Sequence, residues 1–364
     1  MIRKGLPSVF IDRRFLALAL PITLLGLASA CATRPESAPR RFEFTRAEMG
    51  MEFRIVLYAP TPGHASAAAT AAFDRIHALN AIFSDYEEDS ELTQLSRSAG
   101  QGHAVPLSAE LWDVLTRAQA LSVRTGGAFD VTVGPHVTLW RRARRQREPP
   151  RADLLERARQ AVGHDKLVLD PKGRTATLKA PRMRLDLGGI AKGYAMDAAL
   201  RVLNERGIRS ALVSGGGDMV LGDPPPGKRR WRIALAPLDA PDAPPVDHLE
   251  IARCALATSG DSFQHVVIEG KRYSHIVDPR TGEALTDHSL VRVVAPDSTT
   301  ADSLATAISV LGPEQGLELA GKYRGVEVRI VRRPGEEVEI HQSQGFQELL
   351  SRDPTAVEGS PGPR

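Results

Sequence analysis

An acid and an alcohol stand four positions apart in Ala301-Asp302-Ser303-Leu304-Ala305-Thr306, so on a helix Asp302 and Thr306 share one face. A hard divalent cation such as Mg2+ takes oxygen ligands of this kind and keeps water or phosphate in the rest of its shell. Ordinary helix chemistry accounts for the same pair: an acid near an N-terminus complements the helix dipole, and a threonine packs. Judged alone, that plainer account is the commoner one. A second string, Asp186-Leu187-Gly188-Gly189-Ile190-Ala191-Lys192-Gly193-Tyr194, follows the strand-like Met183-Arg184-Leu185 and opens a helical run that ends near Gly207. Glycines there let the backbone approach a ligand, and the free amides of the helix's first turn favour an anion, for which a cofactor phosphate is the natural occupant. Many α/β domains use glycine at such turns for backbone reasons alone, so this loop needs partners elsewhere.

Three further strings offer them. In Ser274-His275-Ile276-Val277-Asp278-Pro279-Arg280-Thr281-Gly282, His275 is the best-placed proton acceptor, because imidazole titrates near neutral pH. A lone strand histidine is more often structural, and Asp278-Pro279 is ordinary turn chemistry. Gly126-Gly127-Ala128-Phe129-Asp130-Val131-Thr132-Val133-Gly134-Pro135 sets the flat face of Phe129 and the acceptor Asp130 just after a helix stop; its plain reading is a turn leading into a strand. Ser84-Asp85-Tyr86-Glu87-Glu88-Asp89-Ser90-Glu91-Leu92 is polar around one aromatic. Tyr86 can stack on a ring system, or sit in a surface loop that caps a helix at Asp89 or Ser90.

The elements that must carry these strings alternate in type. Residues 53–58 read as a strand and 65–82 as a helix, with Ala69, Phe73, Ile76 and Ile82 roughly on one face. Residues 107–125 form a second helix, with Ser108 as N-cap and Gly126 as its stop. Residues 167–169 and 176–178 pair as a hairpin through Asp170-Pro171-Lys172-Gly173. Residues 211–213 form a strand running into Ser214-Gly215-Gly216-Gly217-Asp218, and 265–268 and 272–277 flank a turn at Glu269-Gly270-Lys271. A helix over 299–311 and strands over 326–331 and 338–340 complete the chain, which has no internal repeat. Such alternation predicts an α/β or α+β protein.

Arg3, Lys4, Arg13 and Arg14 precede an apolar run over 15–30 that stops at Cys31. The run is shorter than the roughly 20 residues a bilayer span needs. A basic start, an apolar middle and small residues at the cut describe an export signal over residues 1–30. Leu27-Ala28-Ser29-Ala30-Cys31 resembles a bacterial lipobox, in which Cys31 is acylated; simple cleavage after Ala30, giving a soluble exported protein, is the alternative. Residues 31–42 then read as a tether, 43–348 as the folded domain and 349–364 as a frayed tail. The one other cysteine, Cys254, lies in an apolar run and reads as a small buried hydrophobe, with no zinc-like spacing around it. About 330 residues remain after the signal, and 42% hydrophobic content supports a real core. A net charge of +3 makes no case for nucleic acid. The cluster Arg141-Arg142-Ala143-Arg144-Arg145-Gln146-Arg147 reads as a solvated helix end or loop, with membrane-surface contact as the lesser option.

Gly-Ala-Phe-Asp at 127–130, the nine residues at 186–194, Gly-Gly-Asp at 216–218, His-Ile-Val-Asp-Pro-Arg-Thr-Gly at 275–282 and Ala-Asp-x-Leu-Ala-Thr-Ala at 301–307 occur in one order and spacing. In these the chain closely resembles the ApbE family, the Mg2+-dependent FAD:protein FMN transferases, many of them bacterial lipoproteins. The resemblance spans about residues 44–345. It implies an α+β or mixed α/β fold related to the T-fold, with mixed sheets and packed helices in two intimate lobes. It implies cleavage of FAD at its pyrophosphate, transfer of FMN to a threonine hydroxyl of a target protein through a phosphoester, and release of AMP. By motif, Met49, Tyr86, Ala128, Phe129, Asp130, Asp186, Lys192 and Ile276 would line the FAD site. Gly189 through its carbonyl, Asp302, Thr306 and the Ala305 carbonyl would hold Mg2+, and His275 and Asp302 would be catalytic, His275 as base. The expected partner is an exported or membrane redox protein carrying an Asp-x-x-Thr-like site, met by a chain lipid-anchored through Cys31 and facing the periplasm. Two alternatives share the fold: an FAD pyrophosphatase giving FMN and AMP, and a flavin-binding lipoprotein without transfer. The chain departs from the family at Ser214, where asparagine is frequent, and in the arginine-rich segment after Trp140.

Overall fold

The structure, a computed structural model, describes residues 38–239, 243–245, 247–261 and 264–351. The expected signal and Cys31 lie outside the described residues, as does the tail from 352. The described chain begins with β1 (Arg40–Glu48), β2 (Met51–Ala59), α1 (Pro62–Phe83), α2 (Glu91–Arg97), β3 (Val105–Pro106), α3 (Ala109–Arg124), α4 (Gly134–Gln146) and α5 (Ala152–Ala161). It continues through β4 (Leu167–Asp170), β5 (Thr175–Leu178), α6 (Ala191–Glu205), β6 (Ala211–Gly215), β7 (Asp218–Leu221), β8 (Trp231–Leu235) and β9 (Asp247–Ile251). Last come β10 (Cys254–Gly260), β11 (His265–Ile268), β12 (Lys271–Ser274), β13 (Ser289–Ala295), α7 (Ser298–Leu311), α8 (Pro313–Gly321), β14 (Glu327–Arg332), β15 (Glu339–Gln342) and α9 (Gln344–Leu349).

Eight strands form one antiparallel sheet in the order β1-β2-β6-β7-β10-β13-β14-β15. One face is covered by α1, α6, α7 and α8, and the other by the β8–β9 ribbon and α9, so the central strand β13 is buried on both sides. Phe53, Ile55 and Leu57 of β2 point into the helical core, whereas Val56 between them meets Trp231 and Ile233 of the ribbon, as the period of a strand requires. The mixed helices and antiparallel sheets make this an α+β protein. The small β3-β5-β4 sheet and the helices α2 and α3 pack through Leu92, Leu95, Leu111 and Leu178 into that same core, so the two expected lobes share it.

Local chemistry explains the well-read elements. Thr61 caps α1 by accepting from the His64 N–H, with Pro62 at the first position, and Ser108 caps α3 by accepting from Leu111 N–H at 3.1 Å. Other expectations need correction. Met183 to Leu185 form no strand, only a parallel bridge between Arg184 and Val133. The 126–135 turn leads into α4 rather than a strand, because Pro135 fits a helix's first turn. β12 ends at Ser274, which leaves His275 to Val277 in the following loop. β1 starts inside the expected tether, and Leu349 and Leu350, which bridges Leu249, belong to the folded unit rather than the tail. Cys254 is half-buried at the head of β10 and unpaired. Burial pushes its thiol up to about 11, as expected of an unreactive cysteine.

The packing that matters for the site is the crossing of α6 and α7. A Cβ built on Gly193 would lie 2.2 Å from the Ser298 carbonyl oxygen, so only glycine permits the approach. The side chain of Asp197, one turn along α6, fixes the start of α7 by accepting from the N–H groups of Ser298 and Thr299, each at 2.8 Å. Gly193→Ala is therefore expected to force the helices apart and to cost about 1–3 kcal/mol, as overpacking does. Thermal denaturation of the variant checks this; an unchanged midpoint contradicts so tight a crossing.

Candidate functional site

The crossing of α6 and α7 brings the first two strings together. Asp302 Oδ2 accepts from the Gly193 N–H at 3.1 Å, and Asp302 Oδ1 accepts from Lys192 Nζ at 2.7 Å. Lys192 Nζ also reaches Asp218 Oδ2 at 3.0 Å and the Gly188 carbonyl at 3.4 Å. Asp218 heads β7, just past the Gly216-Gly217 turn, and its other oxygen accepts from the Thr258 N–H at 2.8 Å. One turn beyond Asp302, Thr306 faces the glycine loop so closely that a Cβ on Gly189 would lie 2.9 Å from its Oγ1. An acid, an alcohol, a lysine and a bare stretch of backbone thus converge.

Asp218 and Asp302 are buried and Lys192 is largely so, which raises the electrostatic stakes. Burial opposes the Lys192 ammonium, but the charges of Asp218 and Asp302 outweigh it and raise its pKa above the ordinary lysine value. Burial pushes Asp218 up to about 6; the Lys192 charge opposes the shift and the Asp302 charge adds to it. Asp302 therefore already holds a cation, in the form of the Lys192 ammonium.

The donors around it fit Mg2+. Asp302, Thr306 and the Gly189 and Ala305 backbone offer only hard oxygens. Among the described residues no group of three or more His, Cys, Asp or Glu could hold a metal, so a cation here must complete its shell with water or ligand phosphate. Of the expected donors, the Ala305 carbonyl is already engaged, accepting from Ser309 Oγ at 2.8 Å.

A second cluster adjoins the glycine loop. Asp186 Oδ1 accepts from the Gly188 N–H at 2.8 Å, shaping the turn, while Oδ2 accepts from Arg141 at 2.8 Å. Arg141 also binds the Asp85 carboxylate and lays its guanidinium 4.4 Å from the centre of the Tyr86 ring. Tyr86 is 75% exposed, so this ring is an open platform held from one side. Burial, and next the Asp85 charge, raise the pKa of Asp186, which Arg141 opposes. Asp130 is buried and takes the Thr132 N–H and hydroxyl, both at 2.8 Å; burial raises its pKa despite those bonds. The Asp186 N–H donates to the Val131 carbonyl at 2.8 Å, which ties the two strings into one wall.

The remaining expected residues are placed less directly. Ala128 and Phe129 are buried, and Phe129 packs into the main core rather than offering an open face. Ile276 is also buried, its N–H on Ser274 Oγ at 3.1 Å. Met49 sits in the two-residue turn between β1 and β2, at the end of the sheet where Met51 packs on Gly216. His275 hangs from the Gln264 carbonyl by its N–H at 3.0 Å, with Nδ1 3.2 Å from the same oxygen. Burial, with the charges of Arg144 and Lys192, lowers it to about 4 against the Gln264 bond.

Two charged groups of the site are not marked by the sequence. Asp218 follows a plain Gly-Gly turn, and only the fold sets it on Lys192. Arg141 lay in a run read as solvated, and nothing local distinguishes it from its neighbours. Cavities of about 740 and 190 Å3 are lined by Tyr194, Asp197 and Arg201 and by Arg117, Arg124 and Ser303 respectively, and neither is lined by Asp302 or Lys192. Side-chain chemistry marks the site.

Residues 49–330 match the model of the ApbE family. The FAD:protein FMN transferase of Haemophilus influenzae is 33% identical over 282 residues, covering 74% of this chain and 81% of that protein. The FAD:protein FMN transferase of Klebsiella pneumoniae is 30% identical over 341 residues, covering 90% of this chain and 96% of its own. A solved variant of the flavin transferase ApbE from Vibrio cholerae superposes with a TM-score of 0.76 at 29% identity, covering 85% of this chain and all of that one. On its sequence and its fold alike, the chain belongs to the ApbE family.

Proposed function

We propose that this chain is a Mg2+-dependent FAD:protein FMN transferase that moves FMN from FAD to a threonine of an exported or membrane redox protein and releases AMP. The observation that carries the reading is the junction at which the Gly188-Gly189 loop, Lys192, Asp302 and Thr306 meet. The relatives' shared name, FAD:protein FMN transferase, supports it.

Asp302, Thr306 and the Gly189 and Ala305 carbonyls would hold the cation. When bound, Mg2+ supplies charge that neutralises the pyrophosphate and the departing AMP. The chain's own part is positional. The positive end of the α6 dipole sets fixed charge against the phosphates, and the Lys192 ammonium, shared by Asp218 and Asp302, holds the Asp302 carboxylate in place. The Tyr86 platform, braced by Arg141, offers a face for stacking a ring. The threonine oxygen forms a bond to the FMN phosphorus as the bond from that phosphorus to the AMP oxygen breaks, and the hydroxyl proton leaves to a base. His275 suits that role: its Nδ1–H donates to the Gln264 carbonyl, which leaves the Nε2 lone pair free. The acceptor would present a threonine in an Asp-x-x-Thr-like site. Acylation at Cys31 would anchor the chain to a bacterial membrane facing the periplasm; among the described residues no helix is long and apolar enough to cross a membrane.

The test is direct: the mature chain, FAD, Mg2+ and an acceptor with an Asp-x-x-Thr-like site should yield a fluorescent acceptor band on a denaturing gel. FAD binding with no labelled acceptor and rapid FMN release would point instead to a pyrophosphatase. The pH profile tests His275. Because burial holds the folded imidazole near 4 rather than its ordinary 6.5, it stays neutral as pH falls through 6. Transfer should therefore keep its rate from pH 8 to about 5 and fall below that. An acid limb centred near 6.5 would remove His275 from the role.

A further inference from the structure

The exposed end of α4 is strongly basic and mostly unpartnered. Arg141, Arg142, Arg144, Arg145 and Arg147 follow Trp140 with no acid among them. Arg141 is committed to Asp85 and Asp186, and Arg142 donates to Gln146 at 2.9 Å. The side chains of Arg144, Arg145 and Arg147 make no hydrogen bond or ion pair with the described residues. Arg144 is half-buried beside Arg141 and Tyr86, and burial lowers its pKa, so the chain holds a partly dehydrated cation that it does not itself neutralise. The basic surface continues onto the neighbouring hairpin. Trp140 packs on Tyr273 with ring centres 5.0 Å apart, and Lys271 Nζ lies 5.3 Å from the Tyr273 ring. The same hairpin leads straight into His275.

We propose that the arginine-bearing end of α4, with Lys271 of the hairpin, is the docking surface for an acidic segment of the acceptor protein. This rests on the flavin-transfer reading above. Charge complementarity names the occupant: FAD's diphosphate has the positive end of the α6 dipole and the cation at Asp302, whereas the acceptor must bring its hydroxyl to His275, which follows the hairpin and lies within reach of the Arg144 charge. An anionic bilayer is the poorer fit, because a membrane seated on α4 would cover Tyr86 and His275, where the acceptor has to enter.

Three peptides built on an Asp-x-x-Thr site, flanked by glutamate, glutamine or lysine, test this with the mature chain at saturating FAD and Mg2+. The wild type should label the glutamate-flanked peptide with kcat/KM about tenfold above the glutamine-flanked one, the size of two ion pairs at a half-exposed rim. The preference should reside in KM and fade as salt is raised. R144Q/R145Q should bring the acidic peptide down to the neutral peptide's value, and R144E/R145E should invert the preference toward the lysine-flanked peptide. Labelling of all three peptides at equal efficiency, or an acidic preference that survives R144Q/R145Q, overturns the docking surface and leaves the transferase reading intact. No labelling of any peptide by the wild type overturns both. Phosphatidylglycerol vesicles that bind the wild type, lose R144Q/R145Q and do not compete with the acidic peptide would assign the patch to the membrane and overturn the proposal.

Discussion

Asp302→Asn is expected to lower flavin transfer by about 10²–10³-fold, the usual cost of removing one preorganised electrostatic contact from an active site. The substitution separates two duties of one side chain. The amide oxygen of asparagine can still accept from the Gly193 N–H at the α6–α7 crossing, so the fold should survive. What disappears is the negative charge that holds a cation, now occupied by the Lys192 ammonium. Asp302→Ala would be a poorer test, because a buried Gly193 N–H left without an acceptor costs about 1–3 kcal/mol by itself. Labelling kinetics across a Mg2+ titration, with a melting curve of the same sample, checks both halves. Full transfer by Asp302→Asn would break the metal assignment.

Lys192→Met should be the most destabilising single change in the site. It strands two buried carboxylates, Asp218 and Asp302, that share one ammonium in the native chain. Breaking a buried ion pair from one side costs about 3–5 kcal/mol. The loss should depend on pH in a defined direction. With Asp218 already pushed up to about 6 in the presence of Lys192, removing the ammonium raises it further. The folded variant then binds more protons than the unfolded chain, so its stability falls as pH rises and its deficit is greatest above the raised value. In the wild type the ammonium's contribution is complete below the ordinary lysine value and is lost only at more alkaline pH. Urea unfolding of both proteins at pH 5 and pH 8 measures this; a deficit larger at pH 5 than at pH 8 contradicts the shared-ammonium arrangement.

The legible part of the site lay where the chemistry is local. Asp302 and Thr306 share a face because a helix repeats every 3.6 residues. The glycine loop, the Ser108 cap and the Glu269-Gly270 turn are likewise written in short strings. The unread parts depend on contacts distant in sequence. No spacing announces that Lys192 will sit between Asp218 and Asp302, because the sheet delivers one and the helix crossing the other. Arg141 differs from the arginines around it only in facing Asp85 and Asp186. β13 went unread for a related reason. Helices cover one of its faces and the β8–β9 ribbon the other, so Ser289 to Ala295 show no apolar alternation, and Arg292 interrupts the run. Residues 272–277 are rich in strand-formers, which predicts a strand through His275, yet pairing stops at Ser274.

Mass spectrometry of an acceptor, run beside chromatography of the nucleotides released, bears most directly on the transferase account. With FAD and Mg2+, one acceptor threonine should gain the mass of FMN in phosphoester linkage as one equivalent of AMP appears, and both signals should vanish in Asp302→Asn. An unmodified acceptor alongside free FMN and AMP, or a modified one made equally well by Asp302→Asn, would contradict it.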